Sequence, residues 1–399
     1  MDHKTFFRKL DFVLTQISSN KSEHDLLYTI VKELEQVFGD DLHLKNGRIY
    51  EEDAGGYHLV NPPESTDGTA APWLPMTSKA VTNVLKNGVY IFDDPQFSID
   101  TGISRQLEYA IPAAIEVHSP EEKWIFVFEL KSGWAREQVE LTLNAVRTML
   151  NYRLASDAIE GEIQRAAMIQ ASLLPAYPPK VEGYDIAGKS VPAEIVGGDL
   201  IDYFVFDDDI FGVTLGDASG HGLPAALLVR DVVTGLRMGL EKEMKMAYTI
   251  KKLNSVIHRS TFSSGFISLF YGELEKSGNM IYINAGHPPP FLVSGEKTVE
   301  LKATGMILGA LPELSIHREL IHMPAESVLV IFSDGVFERE DSDGELFGLE
   351  RLKACVIENQ HKTAAEILEL IFSAAKDFGD SPKWQDDATV VVVKRQNCE

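Results

Sequence analysis

Cysteine is nearly absent from this chain, which has 399 residues and contains only Cys355 and Cys398. Two cysteines cannot supply the disulfide framework that stabilises small secreted proteins. They also give no cluster of thiolates for zinc. The sequence therefore favours a reducing compartment, and we expect a cytoplasmic protein.

Long apolar runs are also missing. The most apolar stretches, residues 328–332 and 390–393, have the length of buried strands, whereas a helix that spans a bilayer needs roughly 20 apolar residues. The N-terminal residues are interrupted by charge every few positions and offer no apolar centre for a secretory signal. We therefore expect a soluble protein without direct membrane insertion.

Positive charge is the third shortage. The chain has 37 Lys and Arg residues against 60 Asp and Glu residues, so its formal net charge is -23 at pH 7. Both halves share this acidity, and neither has the basic surface that nucleic acid or an anionic lipid requires. We expect no nucleic-acid partner.

The length indicates more than one domain, because 399 residues exceed what one hydrophobic core usually serves. In the first part, apolar residues recur at helical spacing over residues 5–38, with a polar break at 18–24. A loop rich in Pro, Ser, Thr and Gly is expected at 62–69.

Further along, the pattern predicts a short helix at 78–86, strands at 89–92 and 124–130, and a long helix that begins near Arg136. Helices that flank a short-stranded sheet, followed by a helix that leads into the next domain, resemble a GAF-type sensory domain of α/β fold. The resemblance implies such a domain at residues 1–153. An α+β regulatory domain of another type is the alternative.

A helical linker is predicted next, because residues 136–174 contain no proline and a single glycine, Gly161. Apolar residues recur there at Leu150, Leu154, Ile159, Ile163, Ala166, Ile169 and Leu173. The spacing predicts a coiled-coil linker at 154–178 that pairs with a second copy, which would make the protein a homodimer. A single helix packed on its own domain is the alternative.

Aspartates recur at the ends of apolar strands in the rest of the chain. They are, in chain order, Asp199, Asp217, Asp334 and the pair Asp386-Asp387. Asp217, for example, follows the strand-like run 210–215 and opens a glycine-rich loop, which can also present backbone carbonyls to a hard cation. Carboxylates brought together repel one another unless cations neutralise them. With oxygen ligands only, Mg²⁺ or Mn²⁺ is favoured over zinc.

These aspartates belong to six ordered motifs. The motifs are Ile169-Gln170 with Leu173-Leu174-Pro175, Val196-Gly197-Gly198-Asp199, Gly216-Asp217 to His221-Gly222, Asn284-Ala285-Gly286-His287-Pro288-Pro289, Ser333-Asp334-Gly335 and Asp386-Asp387-Ala388-Thr389. In this order they resemble the PPM (protein phosphatase 2C) superfamily, in its bacterial SpoIIE-like and RsbU-like branch. The resemblance implies an α+β fold at residues 179–396, a four-layer α-β-β-α sandwich with a two-metal site where the loops of its sheets meet.

The resemblance also implies the ligands of two Mn²⁺ or Mg²⁺ ions. Asp217 would bridge both ions, and the backbone carbonyl of Ala218 would complete the coordination of one. Asp334 and Asp386 would hold the second ion. Asp199 would act on a metal directly or through water. The four aspartates are the catalytic residues that the resemblance implies.

The function implied by the resemblance is removal of phosphate from serine or threonine of a partner protein in bacterial signalling and stress response. Water activated between two divalent ions would attack the phosphorus, so no protein nucleophile would be needed. The implied substrate is a phosphorylated anti-anti-sigma factor, a small STAS-domain protein. The N-terminal sensory domain would control the activity.

Several polar residues near the motifs keep more than one interpretation. Asp202 and Asp387 either stabilise turns or take part in the site, and His221 is either a proton donor or a loop residue. His287 is interpreted as part of a rigid turn beside the site. Residues 193–195 read Ala-Glu-Ile where the eukaryotic enzymes of the superfamily carry a phosphate-binding arginine.

Two other functions stay open. A metal-dependent hydrolase of a small phosphoester would need a basic pocket, and no cluster of lysine or arginine accompanies the motifs. A pseudo-phosphatase that serves as a docking module would lose its metal-binding aspartates, whereas all four are present. The sequence therefore favours an enzyme that acts on a phosphoprotein.

Overall fold

The computed structural model describes residues 3–15, 23–60, 71–94, 111–240, 245–260 and 265–397. Its contacts divide the chain into two compact units, Met1–Gly161 and Glu162–Glu399. The loop predicted at 62–69 lies outside the described residues, as does most of the polar break at 18–24. Within the described ranges, every helix is too short or too polar to cross a membrane.

The first unit combines helices with one sheet. Its helices are α1 (His3–Thr15), α2 (Glu23–Leu42), α3 (Lys79–Asn87) and α4 (Arg136–Leu173), the last of which continues into the second unit. Its strands are β1 (Leu44–Asp53), β2 (Gly56–Leu59), β3 (Trp73–Pro75), β4 (Val89–Ile91), β5 (Ile111–His118) and β6 (Lys123–Leu130). They form a six-stranded antiparallel sheet in the order β3-β2-β1-β6-β5-β4. The short helix, the two strands and the long helix predicted for this region are confirmed.

Helices cover both faces of this sheet. One buried cluster joins β1, β5 and β6 to α2 and α4, and a second joins the opposite face to Val81 and Val84 of α3. Helix α3 begins where the Ser78 side chain accepts a hydrogen bond of 3.1 Å from the Val81 backbone N–H, which caps its first turn. It ends at Gly88, whose φ of 74° is accessible to glycine without strain.

The long helix α4 changes character along its length. Its first half contributes four residues to the core of the first unit: Val139, Leu143, Val146 and Leu150. Leu150 therefore packs inside its own unit instead of in a pairing seam. The sequence could not separate these two cases, because core and seam residues share the same helical spacing. Farther along, Ile159 and Ile169 are 59% and 64% exposed. Exposed apolar side chains thus occur in both halves of the described helix, with Leu141 in the core-forming half and Ile159 and Ile169 beyond it.

The strands of the second unit form two five-stranded antiparallel sheets. One contains β8 (Asp199–Val205), β9 (Ile210–Ala218), β10 (Ile267–Glu275), β11 (Asn279–Ala285) and β14 (Glu319–His322), in the order β14-β11-β10-β9-β8. The other contains β7 (Tyr184–Val191), β12 (Phe291–Ser294), β13 (Lys297–Glu300), β15 (Val328–Phe332) and β16 (Ala388–Arg395), in the order β13-β12-β15-β16-β7. The helices are α5 (Leu223–Gly239), α6 (Met246–Ser260), α7 (Asp334–Phe337), α8 (Gly348–Asn359) and α9 (Ala364–Phe378).

The two sheets share a hydrophobic cluster, which contains Val213 and Leu215 of β9 and Ile331 of β15. A second cluster joins the sheet of β9 to α5 and α6, and a third joins the sheet of β15 to α8 and α9. Because successive residues of a strand point to opposite faces, Asp217 lies on the same face as Leu215. The end of β9 therefore presents Asp217 toward the space between the sheets.

The mixed α+β class of the second unit agrees with the sequence. β10 and β11 form a hairpin, in which they pair in register from Leu269 opposite Ala285 to Leu274 opposite Met280. Pairing is antiparallel throughout both sheets. Among the aspartates singled out from the sequence, Asp199 opens β8 and Asp217 is the last residue but one of β9. Asp334 opens α7 soon after β15, and Asp386 and Asp387 directly precede β16.

Candidate metal centre

Three polar residues form a row across neighbouring strands. Asp199 of β8 lies opposite Asp217 of β9, which in turn lies opposite Ser268 of β10. Residues directly opposite in antiparallel strands place their side chains on the same face. The sheet therefore brings the carboxylates of Asp199 and Asp217 together at the edge of the space between the two sheets.

The carboxylate of Asp199 is buried without hydrogen bonds that would compensate for the loss of water. It is 3% exposed, and neither of its carboxylate oxygens has a hydrogen-bond partner among the described residues. Burial raises the pKa of Asp199 well above its usual value, and the neighbouring Asp217 raises it further. The hydroxyls of Ser333 and Thr389 face it and oppose this rise, although they donate to other oxygens. A buried carboxylate in this condition requires a proton or a cation.

Asp217 experiences the charge of the other acids. Burial and, after it, the carboxylates of Asp334, Asp386 and Asp387 together raise the pKa of Asp217 to about 8. The pKa of Asp334 is raised by burial and by Asp386 and Asp387, while backbone N–H groups lower it in part. The structure therefore brings the four predicted aspartates into one electrostatic cluster.

The second side of this cluster lies beside β15 and β16. Asp334 opens the short helix α7, and the backbone of the next residue, Gly335, packs so closely against Asp387 that a Cβ would overlap the Asp387 carbonyl. The Ser333 hydroxyl donates to the Asp387 carbonyl at 3.1 Å and accepts from the Thr389 backbone N–H at 2.9 Å. These contacts fix the segment that carries Asp334 to the segment that carries the exposed Asp386.

Asp387 has a structural role. One of its carboxylate oxygens accepts a hydrogen bond of 2.8 Å from the Ala193 backbone N–H, and the other accepts one from the Gly198 backbone N–H. Both oxygens are thus engaged by the loop that leads to Asp199. Asp387 holds the start of β16 against this loop, which agrees with the interpretation that it stabilises a turn.

The carboxylate of Asp202 is also engaged by other groups of the protein. Its carboxylate pairs with the Arg237 guanidinium of α5 at 2.7 Å and accepts from the backbone N–H of Tyr203 at 2.9 Å. Arg237 in addition donates to the carbonyl of Leu173, at the end of α4, at 2.7 Å. Asp202 therefore joins β8 to α5 and, through Arg237, to the last turn of α4.

Backbone packing leaves room for the Ala218 carbonyl. A Cβ at Gly198 would lie 3.0 Å from the Ala218 carbonyl oxygen, so a larger residue there would crowd this group. The Gly198 carbonyl in turn accepts from the Ala218 backbone N–H at 2.9 Å. Glycine at position 198 thus lets the two backbone segments approach closely without displacing the Ala218 carbonyl.

The two motif histidines have different surroundings. His221 is largely exposed, and its Nδ1 lies 3.0 Å from a carboxylate oxygen of Glu194, also on the surface. His287 is 2% exposed, and its Nδ1 shares a hydrogen bond of 2.8 Å with the Ser268 hydroxyl. Burial lowers the pKa of His287 to about 3, so the ring is neutral. The structure agrees with a structural role for His287.

The chemistry of the acid cluster fits divalent cations. The side chains offer oxygen ligands only, Asp199 is buried with unpartnered oxygens, and the raised pKa of Asp217 reports uncompensated negative charge. Within the described residues, no group of three or more His, Cys, Asp or Glu side chains is arranged so that it could hold a metal ion as it stands. The fit therefore rests on the donor atoms and on the charge.

A cavity of about 400 Å³ reaches Asp199 from the side of α4. Gln170, Gly197, Ser190 and Tyr203 are among its lining residues. The Gln170 side-chain amide, which is buried, donates to the Gly197 carbonyl at 2.6 Å. The last turns of α4 thus touch the loop that carries Asp199.

Comparison with known proteins identifies the family. A family model described as stage II sporulation protein E (SpoIIE) matches residues 207–396. The phosphoserine phosphatase RsbU of Bacillus subtilis is 30% identical over 243 residues, which cover 60% of this chain and 71% of RsbU. The chain belongs to the SpoIIE family of RsbU-like phosphatases. Protein IcfG of Synechocystis is 26% identical over 281 residues, which cover 63% of this chain and 44% of IcfG.

Solved structures agree on the fold of the SpoIIE-family part. The SiaA-PP2C domain of Pseudomonas aeruginosa superimposes with a TM-score of 0.53 at 18% identity and covers 61% of this chain and 99% of that domain. At this identity the likeness shows the fold alone. The SpoIIE model includes Asp217, Asp334 and Asp386 and begins after Asp199.

Sequence reasoning missed two residues that contact the site: Gln170 as a contact to the Asp199 loop, and Arg237 as the partner of Asp202. Gln170 stands in a motif, but its target could not be read from the sequence. Arg237 follows no spacing that links it to the aspartates. Their contacts to the site can be identified only in the three-dimensional structure.

Proposed function

We propose that this protein is a metal-dependent protein serine/threonine phosphatase that acts in bacterial signalling. The observation that carries the proposal is the convergence of four carboxylates in which Asp199 is buried with unpartnered oxygens. The name of the relative RsbU, a phosphoserine phosphatase, supports the same reaction.

Asp199, Asp217, Asp334 and Asp386, with the carbonyl of Ala218, would hold two Mn²⁺ or Mg²⁺ ions. Such ions supply an activated water and stabilise the charge that develops on the phosphoryl oxygens. The chain's own residues orient the ligands: Asp387 holds the loop before Asp199, and Ser333 holds Asp334 to the start of β16. No nucleophilic side chain is required.

The substrate we propose is a phosphoprotein, specifically a phosphorylated STAS-domain anti-anti-sigma factor. At residues 193–195, where a phosphate-binding arginine would stand, Glu194 approaches His221 instead. Without a cation there, recognition depends on the protein that carries the phosphate. This favours a protein substrate over a small phosphoester.

We further propose that a GAF-like sensory domain at 1–153 controls the phosphatase domain at 179–396 through a helical linker at 154–178. The six-stranded sheet with helices on both faces supports the sensory domain. The three clusters around the two sheets of the second unit support a four-layer sandwich. Exposed apolar residues such as Ile159 and Ile169 support a homodimer paired through the linker.

The contacts at the end of α4 support a route for this control. Gln170 bonds to the Gly197 carbonyl, two residues before Asp199, and Arg237 ties the Leu173 carbonyl to β8 through Asp202. A change in the position of α4 would therefore act on the loop that presents Asp199. Such a change requires a signal with different affinities for two linker arrangements.

The test is hydrolysis of p-nitrophenyl phosphate and of a phosphoserine STAS protein by the full chain with Mn²⁺. We expect activity in the wild type, loss in Asp217→Asn, and no change in Asp208→Asn, which alters an exposed acid in the turn between β8 and β9. An inactive wild type with both substrates would favour a docking module. A kcat/KM that is higher for small phosphoesters than for phosphoproteins would favour the small-molecule hydrolase.

A further inference from the structure

Arg339 is a buried cation near the acid cluster. It is 1% exposed and follows α7, the helix that Asp334 opens. Its two terminal nitrogens donate to the carbonyls of Lys383 and Ser381 and to the side-chain oxygen of Gln385 at 3.1 Å. Its guanidinium carbon also lies 5.0 Å from the ring centre of Trp384.

These partners form one continuous segment. All of them belong to residues 381–385, which lead directly into Asp386. None of them is a carboxylate, and the Arg339 Nε has no partner among the described residues. Burying a guanidinium without a counter-charge is costly. A residue that merely filled this space would not need to be charged.

The packing around Arg339 leaves little freedom. A Cβ at Gly379 would overlap the guanidinium, so the chain that leaves α9 passes directly over it. The Arg339 carbonyl accepts from the Phe347 backbone N–H at 2.8 Å, and the Asp334 carbonyl accepts from the Glu338 backbone N–H at 2.8 Å. Arg339 is thus held by the backbone on one side and holds the 381–385 segment on the other.

We propose that Arg339 is the positioning residue for Asp386, a role that rests on the proposed function of the acid cluster. Its guanidinium sets the course of residues 381–385 so that the Asp386 carboxylate faces Asp217 and Asp334. The two segments are in direct contact, since a Cβ at Gly335, next to Asp334, would lie 3.1 Å from the Asp386 carbonyl carbon. Arg339 therefore fixes the spacing between Asp334, on its own segment, and Asp386, on the segment it binds.

A planar guanidinium suits this task because it donates in several fixed directions at once. A lysine at the same position would donate from a single ammonium group and could not hold two carbonyls and an amide oxygen in one plane. Arg339→Lys keeps the charge and most of the volume while it removes the geometry. It is therefore the informative substitution.

The experiment measures Mn²⁺ affinity by calorimetry and by the electron paramagnetic resonance of free Mn²⁺, with the full chain of Arg339→Lys, Gln385→Ala and Arg395→Lys. Arg395 is the matched control, since it donates to the Met323 carbonyl at the far end of β16 at 2.7 Å. We expect Arg339→Lys to weaken Mn²⁺ binding by about 10- to 100-fold, as supporting residues of metal sites do. Activity should recover at raised Mn²⁺. Arg395→Lys should bind as the wild type does.

Gln385→Ala keeps the test decisive if Arg339→Lys does not fold. It removes one of the bonds from an exposed side chain and should weaken Mn²⁺ binding severalfold. Wild-type affinity in folded Arg339→Lys, or in Gln385→Ala when the lysine variant is unfolded, overturns the positioning role and leaves the proposed function intact. A wild-type protein that binds no Mn²⁺ overturns both.

Discussion

The two sides of the acid cluster are held in different ways. Asp199 and Asp217 belong to paired strands, and the strand register fixes the spacing of their backbones. Asp334 and Asp386 lie in short segments beside β15 and β16, and side chains such as Ser333 set their positions. The strand side therefore follows from the sheet, whereas the loop side depends on a few individual bonds.

Burial also differs among the four acids. Asp199 is 3% exposed, and burial is the first cause of the raised pKa of Asp217. On the loop side, burial is likewise the first cause of the raised pKa of Asp334, whereas Asp386 is exposed. A buried charge opposes folding, whereas an exposed one does not. The comparison teaches that the strand side and Asp334 bear the electrostatic cost of the site, and that Asp386 gives access to it.

The largest expected effect removes the function of both sides at once. Phosphatase activity should disappear when EDTA removes divalent ions and return when Mn²⁺ or Mg²⁺ is added, because the proposed chemistry depends on bound cations. Phosphate release from a phosphoserine protein measures this directly. Turnover that persists in chelator would leave the cluster without the role we propose.

Single carboxylate substitutions compare the sides. Asp217→Asn and Asp386→Asn should each lower kcat at saturating Mn²⁺ by several orders of magnitude. Asp217→Asn should be the more severe, because Asp217 would contact both ions. Steady-state kinetics with Asp208→Asn as the control measure the difference. A wild-type rate in either variant would refute that assignment.

The linker should act through the strand side with a smaller effect. The substitutions Ile159→Asp and Ile163→Asp should weaken dimerisation. They should also change turnover by about 5- to 150-fold, since regulatory coupling is commonly about 1–3 kcal/mol. Mn²⁺ affinity should be unchanged. Light scattering and phosphoprotein turnover measure the two effects. A monomeric wild type at micromolar concentration, with turnover unaffected by the substitutions, would make the linker a simple tether.

The smallest effect is on stability. The Asp217 carboxyl, whose pKa is raised to about 8 in the folded metal-free protein, titrates near 4 when unfolded. The folded state therefore binds more protons between these values, and its stability falls as pH rises from about 4 to about 8. Asp217→Asn removes this loss of folding stability at high pH.

Calorimetry in EDTA measures this effect. Asp217→Asn should raise the midpoint of unfolding by several degrees at pH 8 and by less at pH 5, while Asp386→Asn should change it little. Equal shifts for the two variants would show that the sides of the cluster do not differ in electrostatic cost.

The sequence predicts much of this arrangement from local patterns. The ends of β9 and β15 could be found because an apolar run leads into an aspartate beside glycine, as at Asp217 and Asp334. The short helix predicted at 78–86 likewise corresponds to α3. Short-range spacing carries this information.

Other features lie beyond such patterns. Asp386 and Asp387 are adjacent and chemically identical, and only the positions of Ala193 and Gly198 show that Asp387 is the one engaged by backbone. Leu150 has the spacing of a seam residue and lies in the core of its own unit. The bonds of Arg339 join distant parts of the chain, so tertiary packing alone reveals them.

The place of β16 in its sheet also bears on how the protein is made. This strand lies between β15 and β7, which come earlier in the chain and have no direct pairing with each other in the described structure. During translation, β7 must wait for residues 388–395 to emerge from the ribosome before its sheet can close. Long-range pairing of this kind is slow. A nascent chain therefore cannot bring Asp386 close to Asp217, and incompletely translated chains are expected to be inactive.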